Sequence, residues 1–281
     1  MMRDVSQNTP GSPADIFLAN RARGRIALAV DATDGETRRR NVAEDGNLRV
    51  RFPAPEGEAL EAVILNTAGG IAGGDRHVLD IKVQNNARLI VTTAAAEKIY
   101  RSLAPDAEIA VKLDVGAGGH LAWLPQEAIL FDRARFARRI DVALAGDAAL
   151  TMAETVVFGR AAMAETVMDG SFTDHWRVRR DGRLLFAESL RLNGAIAQKL
   201  AEPAVAAGGV AVATVLKIPG DEGMAGKVRA LSDSFAGEVG ISAWNGLAVA
   251  RLCAKDSASL RGDLVAVLTA LDTPLPRLWL N

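Results

Sequence analysis

The sequence predicts a mainly β protein, and three observations lead to this prediction. Short runs in which apolar and polar residues alternate recur from residue 21 onward, as expected for strands with one buried face. Turn signals such as Asp34-Gly35 and Asp181-Gly182 separate these runs at close intervals. No segment with helical periodicity interrupts residues 21–192, which disfavours alternating βα units with crossover helices.

The strand pattern extends over most of the chain. Residues 1–20 are polar and contain Pro10 and Pro13, which predicts a flexible arm, and residues 21–281 are expected to form a single domain with a β core up to about residue 220. The predicted strands, in chain order, cover residues 25–30, 48–52, 60–65, 78–83, 88–93, 107–115, 120–124, 140–144, 148–152, 172–180, 184–192, 208–217 and 241–252.

Two α-helices are predicted near the C-terminus, at about residues 223–236 and 257–271. Apolar side chains recur there at helical spacing, which is typical of a helix with one buried face. These side chains are Met224, Val228, Leu231 and Phe235 in the first segment, and Leu260, Leu264, Val267, Leu268 and Leu271 in the second. Pro274 and Pro276 end the second segment.

Composition excludes several classes of partner. The 281 residues include 33 basic and 34 acidic ones, for a net charge of −1, so no bulk charge favours nucleic acid or an anionic membrane. No apolar run approaches the length of a membrane span, and the first residues lack the apolar core of a signal peptide. Cys253 is the only cysteine, which excludes an intrachain disulfide and suits a cytoplasmic protein.

A glycine-rich loop at residues 65–76 (LNTAGGIAGGDR) lies between two predicted strands. Gly69 and Gly74 have the spacing of a phosphate-binding P-loop, but Asp75 stands where that motif needs lysine. No register gives the dinucleotide-binding fingerprint either, and a strand follows rather than a helix. The loop therefore predicts a tight turn packed against a neighbouring strand.

The sequence offers little support for nucleophilic catalysis or a permanent metal centre. It contains no Gly-x-Ser-x-Gly motif, and Cys253 lies in an alternating apolar segment, which indicates a buried structural thiol. His77, His120 and His175 lie in separate strand-like segments without the spacing of a zinc site.

Six carboxylates lie in or beside apolar segments, where a solvated charge is not expected. Such a group must be paired, hydrogen-bonded or bound to a cation. Two interpretations stay open, namely internal salt bridges to nearby cations such as Arg160 and Arg191, or a polar channel whose oxygen atoms pass a divalent cation. The six are Asp75, Glu97, Glu127, Glu154, Glu165 and Glu188.

An ordered set of segments resembles the urease accessory protein UreD family, called UreH in some bacteria. The resemblance extends from residue 21 to the C-terminal PRLWL. The segments that carry it are LNTAGGIAGGD (65–75), AEKIYRS (96–102), WLPQEAILF (123–131), FGR (158–160) and RLNG (191–194).

This resemblance implies a non-enzymatic scaffold and nickel conduit for assembling the dinuclear nickel centre of urease. The expected partners are the urease apoprotein, UreF, and UreG through UreF. The resemblance also implies a helically wound β-domain of stacked sheets with two helices. Nickel(II) would be in transit, with no cofactor bound permanently. The candidates for lining its path are Asp75, Glu97, Glu127, Glu154 and Glu188.

Two other interpretations compete with the conduit. A β-sheet hydrolase could use two carboxylates across a cleft, although aromatic residues, which line sugar clefts, make up only 5% of the chain. A scaffold for another complex would need no metal path. The glycine loop likewise keeps two interpretations, since it either only turns the chain or also places Asp75 at a tunnel wall.

Overall fold

The structure is a computed structural model that describes residues 21–54 and 57–279. The predicted arm at residues 1–20 lies outside the described residues. The strands are β1 Arg23–Thr33, β2 Glu36–Asp45, β3 Leu48–Arg51, β4 Leu60–Asn66, β5 Arg76–Val83, β6 Arg88–Thr93, β7 Glu97–Ile99, β8 Ala107–Val115, β9 His120–Trp123, β10 Ala128–Leu130, β11 Arg135–Leu144, β12 Ala149–Phe158, β13 Gly170–Arg180, β14 Arg183–Gly194, β15 Ala211–Ile218, β16 Glu238–Trp244 and β17 Leu247–Ala254.

The strands form two stacked sheets. Sheet A has seven strands in the order β14-β13-β11-β8-β5-β1-β2. Sheet B has ten, in the order β16-β17-β15-β12-β9-β6-β4-β3, with β7 and β10 branching from it. These observations confirm the mainly β prediction and the helically wound arrangement that the resemblance implies.

The winding is visible in the strand pairing. In sheet A, β5, β8, β11 and β13 pair in parallel, and in sheet B, β4, β6, β9 and β12 do the same. From β4 to β13 the chain repeatedly leaves one sheet for the other and then returns, so each connection between these parallel neighbours passes through the opposite sheet. The winding therefore supplies parallel sheets without crossover helices, a route that the sequence pattern did not reveal.

Turn signals have two different outcomes in this fold. Asp34-Gly35, Asp181-Gly182 and Asn245-Gly246 close antiparallel hairpins within one sheet. Asp45-Gly46 and Gly146-Asp147 instead send the chain from sheet A to sheet B. A turn signal thus marks where the direction changes, but not which sheet receives the next strand.

The helices lie outside the sheets, and the main core lies between the sheets. The helices are α1 Ile196–Ala201, α2 Glu222–Arg229 and α3 Ser257–Ala270, and 3-10 turns cover Ala161–Met163, Ser232–Ser234 and Arg277–Trp279. Inward residues of both sheets form the main core, while α2 and α3 cover the outer face of sheet B. The two predicted C-terminal helices are confirmed. The prediction was wrong in extending the first of them to residue 236 and in missing the six-residue α1, which is too short to show a period.

Candidate functional site

An interior chamber of about 60 Å3 lies between the two sheets, near the glycine loop. A cavity of this size has room for a few water molecules if polar groups hold them. Its walls are largely apolar, with Leu79 and Val111 among them. Its polar lining residues are Asn66, His77, Thr93, Gln126, Arg138, Glu97 and Glu154.

A buried ion cluster forms one wall of the chamber and joins the sheets. Arg138 on β11 donates to Glu154 on β12, and binds Asp174 on β13 in a bidentate manner with N–O distances of 3.1 and 2.5 Å. Trp123 donates to Glu154 at 2.7 Å, and Trp176 donates to Asp174 at 2.9 Å. Each charged group in the cluster therefore has partners, as a buried charge requires.

Burial dominates the electrostatics of this cluster. It raises the pKa of Glu154 to about 7, against the opposing effect of Arg138, while the negative charge of Asp174 adds to the rise. Burial alone lowers the pKa of Arg138, but Asp174 and Glu154 together outweigh it and raise that pKa. Arg138 therefore stays charged, and burial favours the protonated form of Glu154 more than in a solvated glutamate.

A hydrogen-bond chain connects three other residues of the chamber lining, Glu97, Asn66 and His77. Asn66 Nδ2 donates to Glu97 Oε2 at 2.9 Å, and Asn47 Nδ2 donates to Asn66 Oδ1 at 2.7 Å. Asn47 Nδ2 also lies 3.0 Å from Nε2 of His77. The chain thereby links a carboxylate to an imidazole through two neutral amides.

The two ionisable ends of this chain are both shifted toward their neutral forms. Burial raises the pKa of Glu97, although the hydrogen bond from Asn66 acts in the other direction. Burial lowers the pKa of His77, although the nearby Asp75 opposes the change. Glu97 differs from Glu154 because no described cation forms an ion pair with it.

Asp75 holds the glycine loop in place. Its two carboxylate oxygens accept hydrogen bonds from the backbone N–H groups of Ala22 and Ala72, both at 2.8 Å. The loop approaches its neighbour so closely that a Cβ on Gly73 would lie 1.8 Å from the Ser102 hydroxyl. The predicted tight packing against a neighbouring strand region is thus present, and Asp75 itself is not part of the chamber lining.

The remaining predicted path residues, Glu127 and Glu188, also lie outside the chamber lining. The carbonyl of Glu127 accepts a hydrogen bond from the Glu97 N–H at 2.9 Å. Glu188 on β14 pairs with Arg251 on β17, at the periphery of the two sheets. The structure thus brings Glu97 and Glu154 into one cavity, and the role of all five carboxylates in a metal path stays a prediction.

Comparison with known proteins identifies the family. The model of the UreD urease accessory protein family matches residues 22–280. The chain belongs to this family. It is 58% identical over 268 residues to urease accessory protein UreD of Bradyrhizobium diazoefficiens, covering 95% of this chain and 97% of that protein. It is 56% identical over 274 residues to a UreD of Rhodopseudomonas palustris, covering 98% and 96%.

In this UreD-family chain, sequence reasoning missed several polar residues around the chamber. Arg138 was missed because the predicted strand began at residue 140, whereas β11 begins at Arg135. Asp174 lay within a predicted strand, and its alternation with Phe172 and Trp176 was an available signal of inward orientation. Asn47 and Asn66 gave no signal, since asparagine is common in turns.

Glu165 and Cys253 are the other residues that the sequence analysis of this UreD-family member considered. Glu165 pairs with the sequence-near Arg160 at 2.7 Å, as the salt-bridge interpretation predicts. Cys253 is only half-buried, rather than buried as predicted, and its Sγ lies 3.6 Å from the Ala206 carbonyl.

Within residues 21–54 and 57–279, no three His, Cys, Asp or Glu side chains are grouped to hold a metal ion. No described helix is both long and apolar enough to cross a bilayer.

Proposed function

We propose that this protein acts in urease maturation as a non-enzymatic scaffold through which nickel(II) passes on its way to the urease apoprotein. Its membership of a family of urease accessory proteins supports the maturation role. The proposal places the protein in the cytoplasm, in contact with the apoprotein and UreF, and with UreG through UreF. It assigns no catalytic step to this chain.

The interior chamber is the observation that carries the transit proposal. It lies between the sheets of a wound β fold and contains a carboxylate, Glu97, whose only described side-chain partner is the neutral amide of Asn66. His77 lines the same space, and Asn47 connects it to Asn66. Such a set can contact a passing cation without first breaking a salt bridge.

The chemistry of these groups suits transient rather than tight binding. Oxygen ligands and water hold nickel(II) more weakly than imidazole or thiolate ligands do. A single carboxylate and a single imidazole would leave most coordination positions to water, which favours release. The raised pKa of Glu97, caused chiefly by burial, further weakens binding because a proton competes with the metal.

The maturation role is tested by deleting this gene in cells that express the urease operon, with and without added nickel. We expect urease with low activity and low nickel content, restored by the wild-type gene. Fully active, nickel-loaded urease without this gene would refute the role. Purified protein alone should bind nickel weakly and hydrolyse neither GTP nor urea, whereas tight stoichiometric retention would contradict a conduit.

The transit route is tested separately by Glu97→Gln in the same complementation assay. Glutamine retains an oxygen that can accept the bond from Asn66 but removes the charge, so we expect lower nickel content in urease with unchanged UreF binding. Glu108→Gln is the matched control, because Glu108 is exposed on sheet A and pairs with Arg76. Equal urease nickel content with both variants would reject Glu97 as a path residue and leave the scaffold role intact.

A further inference from the structure

The outer face of sheet B carries a second cavity, separated from the interior chamber by the sheet itself. This basic cleft encloses about 410 Å3 between strands β6, β9, β12 and β15 and the segment that follows α3. Its lining includes the acidic Glu58 and Asp272 and four polar strand residues, which are Arg88, His120, Thr151 and Lys217. These four face outward because the residues beside them in each strand belong to the core between the sheets.

Lys217 is the central charge of the basic cleft. Its ammonium group is partly buried and donates to the hydroxyl of Thr151 at 3.0 Å. Within the described chain, no carboxylate lies within ion-pair distance of this ammonium group, since the nearby Asp272 binds Lys227 at 2.8 Å instead. Burial accordingly lowers the pKa of Lys217, although Asp272 partly opposes this. A partly buried cation that no carboxylate pairs with directly favours an incoming anion.

Two further basic groups, His120 and Arg88, line the cleft together with Lys217. Burial lowers the pKa of His120, and the positive charges of Arg88 and Lys217 lower it further, while Asp147 acts in the other direction. Arg88 forms a 3.0 Å ion pair with Glu58, whose side chain is 79% exposed. An anion could therefore compete with this solvated carboxylate at the mouth of the cleft.

The geometry points to a binding site for a small oxyanion of the phosphate class in the basic cleft. Lys217 supplies the counter-charge, the Thr151 hydroxyl supplies a hydrogen-bond donor or acceptor beside it, and His120 gains a proton as the anion enters. Arg88 attracts the anion at the mouth. Ile90 and Ala122 provide an apolar floor beneath these groups. This site is independent of the metal route on the other side of the sheet.

The test follows the ring signals of the three histidines by NMR while inorganic phosphate is added to the full chain at constant ionic strength. His120→Asn identifies the His120 signal. We expect a saturable shift of that signal and a rise in the pKa of His120 on binding. Lys217→Met should weaken phosphate binding at least tenfold, while Lys217→Arg, which keeps the charge, should retain it.

Lys112→Met is the control, because Lys112 lies exposed on the outer face of sheet A. It should leave phosphate binding unchanged. A shift that never saturates, or that sodium chloride reproduces, would overturn the site. Equal affinity in the wild type and Lys217→Met, with both proteins shown to be folded by urea denaturation, would overturn it as well. Should Lys217→Met not fold, the comparison of Arg88→Gln with the wild type decides, since unchanged affinity there would also reject the cleft.

Discussion

Two of the ion pairs that join sheet A to sheet B lie in contrasting parts of the molecule. The interior pair, Arg138 with Glu154, has both side chains at most 6% exposed. The peripheral pair, Arg251 with Glu188, has an arginine side chain that is 57% exposed and a glutamate side chain that is 16% exposed. The interior pair also engages Asp174 and Trp123, whereas the only other described partner of the peripheral Glu188 side chain is the N–H of Ser189.

We infer from this contrast that burial, rather than the presence of an ion pair, determines how much a carboxylate contributes to the stability of the fold. In the interior, a charge that loses its partner has no water to replace it, so the cluster must stay complete. At the periphery, water replaces a lost partner at little cost. The sequence analysis grouped Glu154 and Glu188 together, but they should respond very differently to the same substitution.

The largest effect is expected for Glu154→Ala. The substitution removes one of two acidic partners of Arg138 and leaves the indole N–H of Trp123 unsatisfied in the core. We expect the free energy of unfolding to fall by about 3–5 kcal/mol, measured by urea denaturation. Glu108→Ala, at an exposed site, serves as the control. A loss below about 1 kcal/mol for Glu154→Ala would mean that the interior cluster does not join the sheets as described.

An intermediate effect is expected for Asp75→Ala, which tests the carboxylate that anchors the glycine loop. The substitution leaves the N–H groups of Ala22 and Ala72 without their acceptors. Since the loss of a partner for a buried polar group costs about 1–3 kcal/mol, we expect destabilisation in that range by urea denaturation. The N–H groups of residues 22 and 72 should also exchange faster with deuterium. Unchanged exchange at both positions would contradict the anchoring role.

The same contrast explains how far the sequence could predict this site. Alternation correctly predicted most strands and the apolar core, because it is a local property of each strand. It could not pair Glu154 with Arg138 or Glu188 with Arg251, since each pair connects different sheets and depends on how the chain winds. The fold class followed from the pattern, and the parallel winding came only from the family resemblance.

A small effect is expected for Glu188→Ala at the periphery. The Arg251 side chain of this pair is largely exposed, so loss of the pair should lower the free energy of unfolding by about 0.2–1 kcal/mol. Adding 1 M salt to the wild type should remove most of this difference, because ions screen an exposed pair. A loss comparable to that of Glu154→Ala, or one that salt leaves unchanged, would show that burial does not separate the two pairs.

Glu97→Gln is expected to change the free energy of unfolding least of all at acidic pH. Near neutral pH it should stabilise the protein, unlike the other substitutions. Burial raises the pKa of Glu97, so the folded protein binds this proton more tightly than the unfolded chain does. The wild type therefore loses stability as pH rises above about 4.3, the ordinary value, toward the raised one. Glutamine does not titrate, so the variant should match the wild type near pH 4 and become the more stable protein as pH rises.

Urea denaturation of both proteins at a series of pH values measures this difference directly. Glu154, whose pKa is also raised, titrates in both proteins, so its contribution cancels in the comparison. A difference that stays constant from pH 4 to above neutrality would show that folding does not raise the pKa of Glu97. A growing difference would instead show that the ionised Glu97 destabilises the fold, which favours a role for its charge in function.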